Sequence, residues 1–214
     1  MGWQRRAIKS EWGDRLMVGV VRIVIISLAL ASAPAAAQFT GSDGEAFIAA
    51  LKDGNSGKAV ELVEKAGSTV VNYRAPDGGT GLHMALRKRT SNWVGYLLAH
   101  EADPNLADKN GDTPLIIGAR LGFSEGVERL LRARALVDKP NRLGETPLIV
   151  AVQGRQAGIV RMLLEAGADP DKADHAAGYS ARDYAKRDSR SADLLRLMDT
   201  VKPKKQAVVG PVRP

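Results

Sequence analysis

Apolar residues in this chain fall into short clusters at helical spacing, separated by polar turns. Leu115 and Leu148 each begin one buried face. Further on, Val127-Glu128-Arg129-Leu130-Leu131 and Val160-Arg161-Met162-Leu163-Leu164 form an apolar stripe of helical period. Leu97-Leu98 marks the same stripe earlier, and Phe47-Ile48-Ala49-Ala50-Leu51 and Ala59-Val60-Glu61-Leu62-Val63 form another pair. The pattern predicts helices in pairs, each pair closed by a tight turn such as Glu165-Ala166-Gly167-Ala168-Asp169-Pro170-Asp171.

The pairs are periodic. Gly111-Asp112-Thr113-Pro114-Leu115 returns 33 residues later as Gly144-Glu145-Thr146-Pro147-Leu148, and Gly78 stands 33 residues before Gly111. Gly178-Tyr179-Ser180-Ala181 is a weaker copy, 34 residues on. A fixed period of this size signals stacked supersecondary units. Glycine suits a turn that needs positive φ, threonine caps a helix N-terminus, and proline at the first helical position has no N–H to leave unpaired.

These openings, the Leu-Leu pairs and the Gly-Ala-Asp turn together resemble the ankyrin-repeat family, over roughly residues 42–199. The resemblance implies an all-α solenoid of helix-turn-helix units with short connecting loops. The N-terminal cap is expected at 43–77, repeats at 78–110, 111–143 and 144–177, and a C-terminal cap at 178–199. The first unit is two residues longer than the 33-residue period, and Lys52, Lys58, Glu61, Glu64 and Lys65 supply the polar outer face that an end unit needs.

Two positions break the pattern. Gly81 replaces the proline, which is expected to loosen the start of that helix. Arg134 stands where Gly167 stands one repeat later, at a position that favours left-handed backbone. His83 occupies the family's usual histidine place, and its expected role is to bond turn backbone, not metal. No spacing of His or carboxylate matches a metal site.

Residues 1–37 read as a secretory signal: basic residues, then Ile23-Val24-Ile25-Ile26-Ser27-Leu28-Ala29-Leu30-Ala31, then Ala35-Ala36-Ala37. Cleavage is expected between Ala37 and Gln38, with 38–42 as linker. The apolar run is shorter than the ~20 residues a membrane span needs. Met17 would begin a signal of ordinary length, and Gln4-Arg5-Arg6-Ala7-Ile8-Lys9 resembles a twin-arginine motif, though far from the apolar run. The alternative is an uncleaved inner-membrane anchor. Residues 200–214 carry three prolines and are expected to form a disordered basic tail.

The net charge of +7 resides in these ends. Arg5, Arg6, Lys9, Arg15 and Arg22 against Glu11 and Asp14 leave +3 in residues 1–37, and Lys202, Lys204, Lys205 and Arg213 give +4 in the tail, so the repeat body is neutral. Neutral repeats and few aromatic residues argue against a nucleic-acid partner. The chain has no cysteine, which excludes disulfides and thiol chemistry and is consistent with a periplasmic or secreted location. No nucleophile elbow or phosphate-cradling loop occurs, so neither enzymatic activity nor a cofactor is expected.

The resemblance implies a protein-binding surface on the concave face and loop tips. Its variable positions fall on Arg87, Arg120, Gln153 and Arg187 in the first helices, and on Arg74, Asp77, Lys109, Asn110, Asp112, Arg142, Leu143 and Glu145 in the loops. Three arginines at one register position suggest a ridge for an acidic protein segment. The alternative reading is a scaffold held at an anionic membrane surface by the basic tail or the uncleaved signal; four charges give only weak, salt-sensitive attachment at ~1 kcal/mol each.

Overall fold

The computed structural model describes residues 41–65 and 68–202. The signal segment, its Ala37–Gln38 junction and the tail beyond Lys202 lie outside the described residues. Among those described, ten α-helices form five antiparallel pairs: α1 (Gly41–Asp53) with α2 (Ser56–Glu64), α3 (Gly81–Arg87) with α4 (Ser91–Ala99), α5 (Pro114–Arg120) with α6 (Ser124–Arg132), α7 (Pro147–Gln153) with α8 (Ala157–Glu165), and α9 (Ala181–Arg187) with α10 (Ala192–Thr200). Two 3-10 turns, Val70–Asn72 and Ser189–Ser191, complete the helical content, so the described residues are all-α.

Helix starts follow the local chemistry. Thr113 and Thr146 sit in extended backbone, and each side chain accepts the N–H three residues on, from Ile116 at 3.3 Å and Ile149 at 3.2 Å. Pro114 and Pro147 then occupy the first helical position. Ser180 and Asp183 cap α9 reciprocally. The α3 start is not loose, as Gly81 suggested. His83 holds it, accepting the Thr80 N–H on Nδ1 at 3.2 Å. Glycine is needed at 81 for another reason: a Cβ there would lie 2.8 Å from the Phe47 ring of α1.

The first helices stack α1, α3, α5, α7, α9 in one layer, and the second helices form the other. The core runs between the layers. Leu82, Leu86, Leu115, Ile116, Leu148 and Ile149 from the first helices meet Leu97, Leu130 and Leu163 from the second, and all are fully buried. In α5 every residue but Arg120 is buried, and in α7 every residue but Gln153. These two helices thus have only their last side chain left for the solvent-facing groove. One seam is looser than the rest. Helix α4 packs on α6, α6 on α8 and α8 on α10, but α2 stands off from α4. The gap is a hollow of about 480 Å³ lined by Val60, Trp93 and Tyr96 among others, bridged by a 3.4 Å contact from the Tyr96 hydroxyl to Glu64.

Successive units are joined by three rails of polar contacts. At the hairpin-like fingers that precede the first helices, the N–H of Lys109, Arg142 and His175 donates to the carbonyl of Asp77, Asn110 and Leu143, at 2.9, 3.1 and 2.8 Å. Behind the second helices, the side-chain oxygen of Asn72, Asn105 and Asp138 accepts the N–H of Asp103, Leu136 and Asp169 at 2.8, 2.8 and 3.1 Å. At the turn inside each pair, Arg89 reaches the carbonyls of Leu121 and Gly122 at 3.2 and 3.3 Å and lies 5.6 Å from the Phe123 ring centre, while Arg155 pairs with Asp188 at 3.1 Å.

Arg89 and Arg155 adopt left-handed backbone, φ 54° and 53°, where the equivalent Gly122 has φ 65°. Their contacts with the next unit offset that strain. Arg134 keeps the glycine-like turn too, at φ 61°, with its side chain exposed. The left-handed conformation costs a non-glycine residue ~1 kcal/mol, and glycine returns about half of it as chain entropy. Arg134→Gly is therefore expected to raise the melting temperature by about 1–2 °C for a domain of this size. Thermal unfolding followed by circular dichroism reads the sign; a fall would mean that the arginine side chain contributes more than its backbone costs.

Candidate functional site

The concave surface is built from two repeated parts: the C-terminal residue of each first helix and the finger ahead of it. Each finger is closed by backbone bonds, Asp108 N–H to the Asp112 carbonyl and Asn141 N–H to the Glu145 carbonyl, both 3.0 Å. An Asp or Asn at the base clamps the turn from within. Asp108 Oδ1 accepts the N–H of Asn110 at 2.8 Å and of Asp112 at 3.1 Å; Asn141 Oδ1 accepts those of Leu143 and Glu145, both at 3.0 Å; Asp174 Oδ1 accepts those of Ala177 and Gly178. These three clamps were not among the residues singled out from the sequence. Their signal was present: an Asp or Asn three or four residues before each finger glycine, at an exact 33-residue interval.

The arginines at the helix ends reach back to these fingers. Arg87 pairs with Asp108 at 3.0 Å and with Asp77 at 3.4 Å. Arg120 Nη2 donates to both oxygens of Asp112, at 2.9 and 3.0 Å, and stands 3.9 Å from Glu145. Arg187 lies 4.6 Å from the Tyr179 ring centre and donates to its hydroxyl at 2.9 Å. The Tyr184 hydroxyl, beside Gln153, donates to Asp174 at 2.6 Å. The register row of arginines is real, but its charge is largely matched within the chain. Arg87 and Arg120 remain 43% and 45% exposed.

Seven of the twelve residues singled out from the sequence surround one hollow of about 390 Å³: Lys109, Asn110, Asp112, Arg120, Arg142, Leu143 and Glu145. Asp77 and Arg87 border a neighbouring hollow of about 240 Å³. Arg74 is turned toward the next finger, where it donates to the Ala107 carbonyl. Gln153 and Arg187 lie farther along the stack. Asp112 differs from the expectation of a presented loop-tip charge. It is only 6% exposed, and its carboxylate is held by Arg120 and by the Asn141 amide at 3.0 Å. Leu143, by contrast, is 55% exposed at its fingertip.

Local electrostatics favour ionised fingers. The Gly79 N–H, with help from Arg87, holds the Asp77 carboxyl below the usual range. Burial opposes the charge on Asp174, yet bonds from Tyr184 and the finger N–H groups still leave it below that range. The Asp174 carboxylate in turn raises the Tyr184 phenol. His83 is fully buried under the fingers, with Nε2 3.1 Å from the Asp112 carbonyl, and burial pushes its pKa down. The Thr80 N–H points at Nδ1, so Nε2 carries the proton and donates to that carbonyl. Among the described residues no three His, Asp or Glu side chains are grouped to hold a metal ion. The surface presents charge and shape, the means of recognition.

Comparison with known proteins agrees with this geometry. A family model described as ankyrin repeats, three copies, matches residues 46–135, and one described as ankyrin repeat matches residues 143–175. Together the two matches cover more than half of the chain. The human 2-5A-dependent ribonuclease is 37% identical over 81 residues, which are 37% of this chain and 11% of that protein. Regulatory protein NPR6 of Arabidopsis thaliana is 41% identical over 63 residues, 29% of this chain and 14% of its own length. The chain thus spans only a small part of either relative.

Proposed function

Since the chain belongs to the ankyrin-repeat family, a family of protein–protein interaction modules, we propose that it is exported to the cell envelope and there holds a protein partner on its concave face and fingertips, without catalysis. The observation that carries the reading is the hollow between the second and third fingers, where an exposed leucine stands among charged groups on a rigid frame. Export is supported by the apolar run Ile23–Ala31 and the small residues before Gln38. The activity named for the human relative is not carried over, because the match covers 11% of that protein.

A photoreactive side chain tests the face without disturbing the fold. Installed in place of Leu143, it is expected to crosslink a partner in intact cells. Installed in place of Arg161, exposed on the outer helix α8, it is expected to capture nothing specific. The captured chain should begin at Gln38. Equal capture from both positions, or from Arg161 alone, would remove the concave-face reading. Capture from neither, with tail-dependent liposome binding, would favour the membrane-surface scaffold.

A further inference from the structure

One register position places basic side chains at the fingertips themselves. Lys109, Arg142 and His175 follow one another at 33-residue intervals, and all three side chains are exposed. Their backbone N–H groups are the donors of the finger-to-finger bonds, so the spacing of the row is fixed by the fold. The side chains are also directed. Gly111 and Gly144 leave room beneath them: a Cβ on Gly111 would lie 3.0 Å from Arg142 Cγ, and one on Gly144 would lie 2.6 Å from His175 Cγ. Each of these two side chains therefore runs across the glycine of the preceding finger.

The fingertip row differs electrostatically from the helix-end row. Arg87 and Arg120 are matched by Asp108, Asp77 and Asp112. Lys109 and Arg142 are in no ion pair among the described residues. The acids nearest the hollow, Asp112 and Glu145, are engaged by Arg120 and by the Asn141 amide and make no ion pair with the tips. Cations in no ion pair, on ordered backbone and beside an exposed Leu143, favour a partner with carboxylates and an apolar side chain. The hollow of about 390 Å³ admits side chains but not a helix, which is roughly 10 Å across.

We infer that the fingertip row, not the arginine ridge below it, selects the partner, and that it takes an extended acidic segment that lies across the fingers and sets an apolar side chain beside Leu143. The inference rests on the proposed interaction function and names the chemistry of its partner. A carboxylate-rich segment meets Lys109 and Arg142 in turn, while Arg120 stays engaged with Asp112 and keeps the floor of the hollow in place.

The test uses the purified chain and a fluorescein-labelled peptide of repeated Glu-Glu-Leu, read by fluorescence anisotropy. Binding is expected, and it should weaken as salt rises. Lys109→Glu with Arg142→Glu should weaken it by about tenfold or more, whereas Lys186→Glu with Arg190→Glu on the C-terminal unit should leave it unchanged. Lys109→Gln with Arg142→Gln, which adds no repulsion, should give an intermediate loss, and circular dichroism should show each variant folded. Undiminished binding by the fingertip variants, no binding by the parent, or tighter fingertip-dependent binding of single-stranded DNA would each overturn the inference. If the parent fails to bind this peptide while the Leu143 crosslink still forms, the interaction function stands and only the acidic-segment chemistry is lost.

Discussion

Replacing Gly144 with alanine is expected to lower the melting temperature by about 10 °C, one of the largest effects available to a single methyl group in this chain. Gly144 has φ 82°, and a Cβ there would sit 2.3 Å from the backbone nitrogen of His175 in the next finger. The His175 ring, 2.6 Å away, can turn aside, but the backbone nitrogen cannot. The His175 N–H bond to the Leu143 carbonyl, 2.8 Å in the parent, must open. Left-handed strain of ~1 kcal/mol and a disrupted bond of ~1–3 kcal/mol sum to about 3 kcal/mol, or roughly 10 °C at the sensitivity of a domain this size. Gly178→Ala provides the comparison. Its φ is 70°, but no atom lies within 4 Å of the added Cβ, so only the strain applies, about half of it offset by chain entropy, and the fall should be about 1–2 °C. Differential scanning calorimetry of the two variants isolates the clash. Equal melting temperatures would show that finger-to-finger packing contributes little.

His83→Ala is the second large change, an expected loss of ~3–5 kcal/mol. The imidazole is fully buried and joins the cap of α3 to the next finger. Removing it leaves the Thr80 N–H without its ring acceptor, takes one of two donors from the Asp112 carbonyl and opens a cavity. The same residue gives the parent a pH dependence. Burial lowers its folded pKa, while the unfolded chain takes up the proton near pH 6.5. Below that point the unfolded state binds more protons, so stability falls as the pH drops, by at most ~1.4 kcal/mol per unit. The loss ends once the pH passes the folded pKa. Asp77 and Asp174 are depressed as well, and act in a lower window: they contribute stability above the ordinary 3.8 that is lost at lower pH. The two windows do not overlap near pH 6. Urea titrations of the parent and His83→Gln between about pH 7 and 5 should show the parent losing stability over that interval and the variant losing much less. Parallel curves would refute the role of His83.

The fold was legible where its causes are local. Thr113-Pro114 and Thr146-Pro147 act through their own caps and φ values, so reading them required no knowledge of neighbours. The backbone at Arg89 and Arg155 was not legible, because glycine is the local preference there and the compensating partners, Leu121, Gly122 and Asp188, belong to the next unit. The concave surface divides in the same way. The arginine row at 87 and 120 follows from the 33-residue register alone. Its neutralisation by Asp108, Asp77 and Asp112 depends on how the fingers fold back, and a count of net charge cannot reveal it. Gly81 was misjudged for a related reason: its helix-breaking tendency is local, whereas the Phe47 ring that requires it comes from the preceding unit.

The stand-off between α2 and α4 has a bearing on how the molecule yields. A stack of units fails at its weakest joint, and this joint lacks the close packing that links the later second helices. The two-residue excess of the first unit falls in the same neighbourhood, between Glu64 and Asn72, since helix ends at 64 and 99 are 35 residues apart while Asn72 and Asn105 are 33 apart. The α1–α2 pair is therefore expected to open at a lower free energy than the whole, which hydrogen exchange of its amides would read as weaker protection. Opening there must part the Phe47 ring from Gly81 but leaves the buried His83 bridge from α3 to the next finger intact, so the fingers that carry Lys109, Arg142 and His175 are expected to stay closed.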